Sequence, residues 1–438
     1  MKHLLRALRS RNYRLFIAGQ SVSLVGTWMQ QVAMSWLVYR MSGSALLLGV
    51  VGFISQIPTF LVSPFAGVLA DRWDRRRLLI ATQALAMVQA AILAILVMTG
   101  IIQVWQIMLL SLFLGLVNAF DIPIRQSFVI EMVSDREDLG NAIALNSSMV
   151  NGARLIGPSI AGLLVASVGE GICFLVNSIS YLAVIIALGA MHLRLSPHHY
   201  KQRRNILHEL REGFSYAYGF GPIRSILTLV ALVSLMGMPY TVLVPVYAKE
   251  VLHGGAHTFG FLMTAAGCGA LIGTLYLASR SSVLGLGKVI VLSATFFAVG
   301  IASFAVSKHF VLSLVSLAIA GFGAMTLVAS CNTILQTILE EDKRGRVMSF
   351  FTVAFIGMAP FGSLGAGAMA SIMGARETLL VGAAACLVGA GIFARHLPQI
   401  REKIRPIYRR MGIIREVADG IESAIEQPAH DAEHHFPR

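Results

Sequence analysis

The chain has 438 residues, of which 56% are hydrophobic and only 13% are charged, and its mean hydropathy is +0.73. Soluble domains carry about 25% charged residues, so this composition excludes a soluble globular protein and indicates an integral membrane protein. The formal net charge of +13 would suggest a nucleic-acid partner in a soluble chain. In a membrane protein it instead reflects where the loops lie, and no nucleic-acid partner is expected.

Twelve hydrophobic segments follow one another along the chain. Each has about 20 or more mainly apolar residues, which is enough to cross a bilayer as a helix. The sequence therefore predicts an all-α membrane protein with twelve transmembrane helices in two pseudo-symmetric bundles of six. The predicted spans are 14–39, 44–69, 78–99, 104–128, 141–168, 171–191, 223–248, 257–279, 287–306, 310–338, 347–373 and 377–395.

Lys and Arg residues are unevenly distributed between the two sides of these predicted spans. Thirty of the 35 lie in the N-terminus, the even-numbered connections and the C-terminal tail, or within the four span residues next to them. The odd-numbered connections carry only Arg40, Lys249, Lys308 and Arg376. Because cytoplasmic loops are enriched in Lys and Arg, both termini are predicted to be cytoplasmic.

An internal repeat indicates two matching halves. A shift of 205 residues brings five glycines around the fifth span onto five glycines around the eleventh. The first set is Gly140, Gly152, Gly157, Gly162 and Gly169, and the second is Gly345, Gly357, Gly362, Gly367 and Gly374. We predict an N-terminal bundle over 1–191, a cytoplasmic linker over 192–222, a C-terminal bundle over 223–396 and an amphipathic cytoplasmic tail over 397–438.

The second and third spans are joined by a stretch, 67–77, that holds two acids and four arginines. Charged side chains cost about 2.5–3.5 kcal/mol each at the bilayer centre, so this stretch is expected at the membrane surface. We predict that it forms a cytoplasmic gate, whose residues are Gly67, Asp71, Arg72, Arg75 and Arg76. For Arg76 and Arg77, a role as simple topology anchors is an equal alternative.

The pattern G-x-x-x-D-R-x-x-R-R-R over 67–77 resembles the loop signature of the major facilitator superfamily of transporters. It departs from that signature at Asp74, where glycine is usual. In the fifth span, the stretch 153–162 resembles the antiporter motif of the same superfamily, with Gly157, Pro158 and Gly162 in matching positions. Small residues permit close helix contact and proline bends a helix, so the resemblance implies a span along which two halves rock, and it favours export.

Three ionisable residues in the spans are candidates for ion coupling or ion pairing. Asp121 is the only acid in the interior of a predicted span, and Arg125 follows it by four residues. A structural ion pair is favoured there over proton carriage. Arg154 lies in the fifth span without an acid nearby in the sequence, and three interpretations stay open: a pair with Asp121, contact with an anionic substrate, or contact with backbone carbonyls.

Polar and aromatic side chains in the first, fourth, seventh and tenth spans are predicted to line a central cavity. The first span carries a polar stripe at spacings of three and four residues, and the seventh adds tyrosine and methionine. Such a cavity suits a bulky organic molecule, although polar packing between helices is an alternative for about half of these residues. The candidates are Gln20, Thr27, Trp28, Gln30, Asn118, Tyr240, Asn332 and Gln336.

Within the superfamily, the stretches DIPIRQSFVIEMV, NAIALN, ARLIGPSIAGLL and CFLVNSISYLA resemble the branch of enterobactin-type siderophore exporters and macrolide efflux pumps. The resemblance implies a monomeric exporter of a small organic molecule in a bacterial inner membrane, working by alternating access and driven by proton antiport. A lipid or lysophospholipid transporter of the same fold and a non-transporting receptor or scaffold are the alternatives. No enzyme motif, cofactor site or metal site is predicted.

Overall fold

The computed structural model describes residues 6–70, 74–132, 138–191, 215–280 and 282–411. Within these ranges the chain is helical apart from short connections, and no strand occurs. Two helices are interrupted by a π-helical turn. α7 consists of Gly221–Leu232, the turn Val233–Gly237 and Tyr240–Glu250, and α11 consists of Glu341–Thr352, the turn Val353–Gly357 and Ala359–Met373. The other ten are α1 Arg11–Ser42, α2 Ala45–Ala70, α3 Arg75–Met98, α4 Val104–Met132, α5 Leu139–Val168, α6 Glu170–Gly189, α8 Ala256–Ala278, α9 Leu286–Val306, α10 Phe310–Ile338 and α12 Ala375–Arg410.

Eleven helices in the described ranges are long and apolar enough to cross a membrane. The remaining long helix is α1, whose 32 residues would span a bilayer by length. It is not among the eleven because its polar side chains, which include Gln20 and Gln30, lower its mean hydropathy. The chain is thus an all-α multi-pass membrane protein, as predicted, while the count of twelve spans stays a prediction for α1.

The helices form two halves of six. In the first half α1 packs on α5 and α6, α3 packs on α4 and α6, and α2 packs on α4. In the second half α10 packs on α8 and α9, and α12 packs on α7 and α9. The halves meet through two helix pairs, α5 with α8 and α2 with α11. In each pair the fifth helix of one half packs on the second helix of the other half. The predicted pseudo-symmetry is therefore present.

The repeated glycines occupy equivalent places in the two halves. A β-carbon added at Gly162 would lie 3.0 Å from the Cα of Gly260 in α8, and one added at Gly367 would lie 2.8 Å from the Cα of Gly49 in α2. Because only glycine lets two backbones approach so closely, each residue fixes one contact between the halves.

The repeat also extends to the helix ends and to contacts within each half. Gly169 and Gly374 have φ values of 88° and 95°, and each ends one helix and directly precedes the next. Gly157 lies against Trp28 of α1, and Gly362 lies against the Leu235 carbonyl in α7. The same three roles therefore recur 205 residues apart.

The two ends of the helices define two faces of the molecule. We call the face with the α1–α2, α5–α6 and α11–α12 connections the Gly43 face, and the face with the α2–α3 connection the Asp74 face. The glycine contacts between the halves lie toward the Gly43 face, where the rings of Trp36 and Phe259 also stack across the halves at 6.3 Å. The described contacts between the halves are therefore concentrated in this part of the molecule.

Two predicted segments outside the bundles differ in outcome. Most of the linker predicted over 192–222 lies outside the described residues. The tail does not begin as a separate element at residue 397, because α12 continues through Pro398 and Pro406 to Arg410. Ile400, Ile404 and Tyr408 are buried at spacings of four, so one face of this extension packs against the protein as far as Tyr408. The part of the tail beyond residue 411 lies outside the described range.

The contact at Gly367 yields a test of the packing between the halves. Gly367→Leu places a side chain 2.7 Å from the Ala45 carbonyl oxygen, so we expect a loss of about 1–3 kcal/mol in the free energy of unfolding. Gly365→Leu is the matched control, because a β-carbon there meets no atom within 4 Å. Thermal unfolding of both purified variants is the measurement, and equal melting temperatures would contradict the assigned contact.

Candidate substrate cavity between the two helical halves

A small cavity lies between the halves. Arg154 of α5 is the one lining residue from the first half, and the second half provides the rest. The larger lining side chains are Met238, Tyr240, Met325, Val328 and Phe355, and the small ones are Ala266, Ala270, Gly321 and Ala324. The cavity therefore has an apolar wall on one side and a cation on the other.

The π-helical turns of α7 and α11 position two of the aromatic side chains. Tyr240 follows the first turn and Phe355 lies within the second. Ser234 in the first turn donates a hydrogen bond to the Phe355 carbonyl in the second, so the two irregular segments are joined. Tyr240 is buried, and its ring packs edge-on against Phe297 at 6.2 Å. Irregular turns of this kind often occur at functional sites in helices.

Arg154 contacts the aromatic face of Trp28. Its guanidinium carbon lies 5.3 Å from the centre of the Trp28 ring, a cation–π geometry worth about 0.5–2 kcal/mol. The predicted alternative of a pair with Asp121 is wrong, because the Asp121 carboxylate is bound by other groups. A hydrogen bond from Arg154 to a backbone carbonyl is also not present among the described residues, and contact with an anionic substrate stays a prediction.

Asp121 is 4% exposed and lies inside the first half, away from the cavity lining. Its carboxylate accepts hydrogen bonds from the Thr82 hydroxyl at 2.9 Å and the Gln83 amide at 2.7 Å. The Nε atom of Arg125 is 3.5 Å from its other oxygen. The side chains hold α3 against α4, which is the arrangement expected of a structural ion pair.

The predicted gate is only partly within the described residues. Asp71 and Arg72 lie outside them, and for Gly67 only the helical backbone of α2 is described. Arg76 donates two hydrogen bonds to the last carbonyls of α6, at Leu188 and Gly189, with distances of 2.7 Å and 2.6 Å. A cation at a helix C-terminus is favourable, so Arg76 fastens α3 to α6 within the first half.

Asp74 explains the departure of the loop from the superfamily signature. Its carboxylate accepts hydrogen bonds from the backbone amides of Arg76 and Arg77 at 2.9 Å and 3.2 Å. This is an N-cap, which satisfies free amides at the start of α3 in a way that glycine cannot. The acid at this position therefore has a structural role in beginning the third helix.

The polar stripe of α1 divides between two environments. Gln30 is buried inside the first half, where it donates to Gln89 at 3.1 Å and accepts from Asn177 at 2.7 Å. Gln20 is also buried, and Thr27 bonds back to its own helix at Ser23. The Gln30 contacts fit the alternative of polar packing between helices, whereas Trp28 lies on the side of Arg154.

The remaining cavity candidates lie in α4 and α10. Asn118 is half-buried in α4. Asn332 accepts a hydrogen bond from Gln336 at 3.2 Å, and Gln336 is exposed. Polar side chains exposed within a span generally face a water-filled space and not lipid. Neither residue lines the enclosed cavity around Tyr240.

The antiporter-type motif lies on the contact between α5 and α8. The Pro158 carbonyl would be 2.7 Å from a β-carbon at Gly260, and the Ser159 hydroxyl is 2.7 Å from the Thr264 hydroxyl across the halves. One turn earlier, the backbone of Arg154 is 3.1 Å from a β-carbon at Gly267. The motif therefore forms the seam that ends at the cavity.

A group of charges at the Gly43 face was not predicted from the sequence. Arg40 binds Glu170 through two nitrogens at 2.8 Å and 3.2 Å, which joins α1 to α6. Tyr39 donates a hydrogen bond to Glu250, which joins the first half to the second, and the Lys249 ammonium lies 5.4 Å from the Tyr39 ring centre. The available signal was the presence of Lys249 and Glu250 at the end of a span opposite Tyr39 and Arg40.

Two six-helix halves with a cavity at their interface define a transporter of the major facilitator fold, not an enzyme. Residues 4–409 match the MFS_3 family model, described as transmembrane secretion effector, and the chain belongs to that family. The resemblance to the superfamily is thereby confirmed.

The chain is similar to named transporters over most of its length. It is 27% identical over 370 residues to the Staphyloferrin A transporter of Staphylococcus aureus, covering 84% of this chain and 92% of that protein. It is 24% identical over 397 residues to the Multidrug efflux pump Tap of Mycobacterium tuberculosis, covering 89% and 94%. Both relatives fall within the efflux branch that the sequence resembles.

The fold is also that of solved transporters. A bacterial homolog of the human lysosomal transporter Spinster, in an inward-facing and unoccupied conformation, aligns with a TM-score of 0.68 and 14% identity. The alignment covers 90% of this chain and 98% of that one. At this identity the likeness concerns the fold alone.

The Tyr39–Glu250 bond yields a second test. Tyr39→Phe removes a hydrogen bond to a charged group between the halves, and such a bond is worth about 1.5–3 kcal/mol. The fraction of molecules in which the halves are separated at the Gly43 face should therefore rise about tenfold or more. Spin labels at the exposed positions Thr99 and Lys308, in a chain with its four cysteines replaced by alanine, report the distance between the halves. Longer distances are expected.

Tyr13→Phe is the matched control for that experiment. The Tyr13 hydroxyl donates to the Ala142 carbonyl at 2.6 Å, a contact within the first half. Its loss should leave the distance distribution unchanged. If Tyr39→Phe also leaves it unchanged, the Gly43 face is not held together by this bond.

Proposed function

We propose that the chain exports a small organic molecule from the bacterial cytoplasm by alternating access, as a monomer driven by proton antiport. The observation that carries the proposal is the cavity at the interface of the halves, beside the seam of α5 and α8. A ligand held there contacts both halves, so its binding favours particular orientations of one half against the other. The names of the two relatives, a transporter and an efflux pump, support export of a small molecule.

The proposed orientation places the Asp74 face in the cytoplasm of an inner-membrane protein. The excess of Lys and Arg on the connections of that face supports this assignment. In it the contacts around Gly162, Gly367 and Tyr39 close the outer side. Gly67, Asp71, Arg72, Arg75 and Arg76 then form the cytoplasmic gate, with 1–191 and 223–396 as the two moving bundles.

Labelling of introduced cysteines tests the orientation. In a chain with its native cysteines replaced, a membrane-impermeant maleimide added to intact cells should label Cys at position 308 and not at position 343. Lysed cells should show labelling at both positions. Labelling of 343 alone in intact cells would reverse the assignment of the two faces.

Export is tested with everted membrane vesicles that contain the full chain. We expect uptake of at least one member of a panel of dyes, macrolides, a catecholate siderophore and a lysophospholipid, with loss of uptake after addition of an uncoupler. Transport of the lysophospholipid alone would indicate a lipid transporter. No transport of any member, with the protein present and folded, would contradict the proposal.

The coupling role of Asp121 is tested in the same vesicles. If Asp121 carries the proton, Asp121→Asn abolishes the uncoupler-sensitive part of transport, because an amide does not titrate. Asp138→Asn is the matched control, since Asp138 also pairs with an arginine, Arg6, at 2.9 Å, but lies at the start of α5. If Asp121→Asn retains uncoupler-sensitive transport, Asp121 does not carry the proton, and its role is a structural ion pair with Arg125.

A further inference from the structure

Arg154 lies at the middle of a membrane-spanning helix. It is the sixteenth of the 30 residues of α5, so about 22 Å of helix lies on either side of it at 1.5 Å per residue. A charge at this depth is costly unless another group offsets it, which makes an intramembrane arginine a candidate for function. The groups around Arg154 therefore decide what this residue can bind.

The other buried charges of the first half have partners of opposite sign. Asp121 pairs with Arg125, and Glu170 pairs with Arg40. In contrast, no acid of the described ranges lies within ion-pair distance of Arg154. Among the described side chains, the face of Trp28 is the one group with which the Arg154 guanidinium forms a cation–π contact, and no hydrogen bond or ion pair accompanies it. The positive charge of the cavity is thus not neutralised by the surrounding described side chains.

Within the described residues, the Arg154 guanidinium donates no hydrogen bond, so its N–H donors are available to a ligand. An arginine that stacks through its planar face keeps its N–H donors in the plane, pointing outward. Two of these donors match the two oxygens of a carboxylate or of a phosphate group. Trp28 can therefore hold the guanidinium in place while its edge binds an anion.

The opposite wall of the cavity suits an apolar group. Met238, Met325, Val328 and Phe355 provide flexible and aromatic contact surface, and Tyr240 adds a ring. No acidic side chain lines this cavity within the described part of the chain.

We infer that Arg154 binds the carboxylate or phosphate group of an amphipathic organic anion whose apolar body lies against Met238, Tyr240 and Phe355. This inference rests on the proposed function and specifies its substrate class. An organic cation is disfavoured at this site, because Arg154 repels it and no described lining acid attracts it.

An anion in this position would also connect the two halves. Its charged group is held by α5, and its apolar body by α7, α10 and α11. Arg154 lies on the seam with α8, beside Gly267, so rocking of the halves changes the distance between the two parts of the site. Binding of the anion therefore depends on the orientation of the halves, as transport requires.

Binding of defined probes tests this inference with the full chain in phosphatidylcholine nanodiscs. The probes are dansylglycine and 1-naphthyl phosphate, with dansylglycine methyl ester as the neutral analogue. Wild type should bind both anions at least tenfold more tightly than the ester. Arg154→Gln should weaken binding of the anions about tenfold or more and leave the ester unchanged, and Arg154→Lys should show a smaller loss.

Arg376→Gln is the matched control, because Arg376 is an exposed arginine outside the cavity and its loss removes the same charge. It should bind the probes like wild type. Equal affinity of wild type for anions and ester, or equal weakening by Arg376→Gln and Arg154→Gln, would overturn the inference. Circular dichroism and the melting temperature establish that Arg154→Gln is folded.

A lipid headgroup and a soluble anion share this chemistry, and a second arm separates them. Nanodiscs that contain phosphatidylglycerol supply an anionic headgroup beside the free probes. If phosphatidylglycerol weakens binding of the probes to wild type and has no such effect on Arg154→Gln, a lipid phosphate is an occupant of the site. If wild type binds the probes with the same affinity with and without phosphatidylglycerol, the site is selective for a soluble anion.

The vesicle assay distinguishes failure of the inference from failure of the proposed function. Transport of neutral or cationic compounds that is unchanged in Arg154→Gln, with no transport of anions, overturns the inference and retains an exporter. Binding of anions that depends on Arg154, with no transport of any compound, retains the site and overturns the exporter.

Discussion

The structure depends on close contact between backbones at two glycine pairs, Gly162 with Gly260 and Gly49 with Gly367. Lipid tails are as apolar as the side chains of the helices, so hydrophobic burial does little to hold one transmembrane helix against another. Van der Waals contact between smooth helix surfaces replaces it, and glycine gives the closest contact. Because glycine has no side chain, the two helices do not interdigitate at these contacts. They can therefore change their relative angle without first separating interlocked side chains.

The polar groups of the chain follow from the cost of charge in a membrane. Each half uses hydrogen bonds and ion pairs to join its own helices, as Gln30 does with Asn177 and as Asp121 does with Arg125. Such bonds make each half a rigid unit. The bond between Tyr39 and Glu250 differs, because it joins the two halves and lies at the edge of the membrane, where it can break at lower cost.

Much of the fold could be predicted from the sequence because membrane helices have a strong apolar signal. The 205-residue repeat also predicted which helices would be equivalent, since a glycine required for backbone contact recurs at the equivalent position of each half. The orientation of α1 about its own axis was harder to predict. Spacings of three and four place Gln20, Thr27 and Gln30 on one side of the helix, but they do not say whether that side faces the cavity or the other helices of its half. Pairs between distant helices, such as Tyr39 with Glu250, leave no periodic signal at all.

The site combines a regular seam with two irregular turns. The π-helical turns of α7 and α11 interrupt the helices beside the cavity, and the bond from Ser234 to the Phe355 carbonyl joins the two interruptions. A displacement of either turn therefore moves both Tyr240 and Phe355. Arg154 lies on the opposite wall, on the seam of α5 with α8. Since one wall is fixed to the seam and the other is carried by linked turns, a change in cavity shape need not disturb the glycine contacts that hold the halves together.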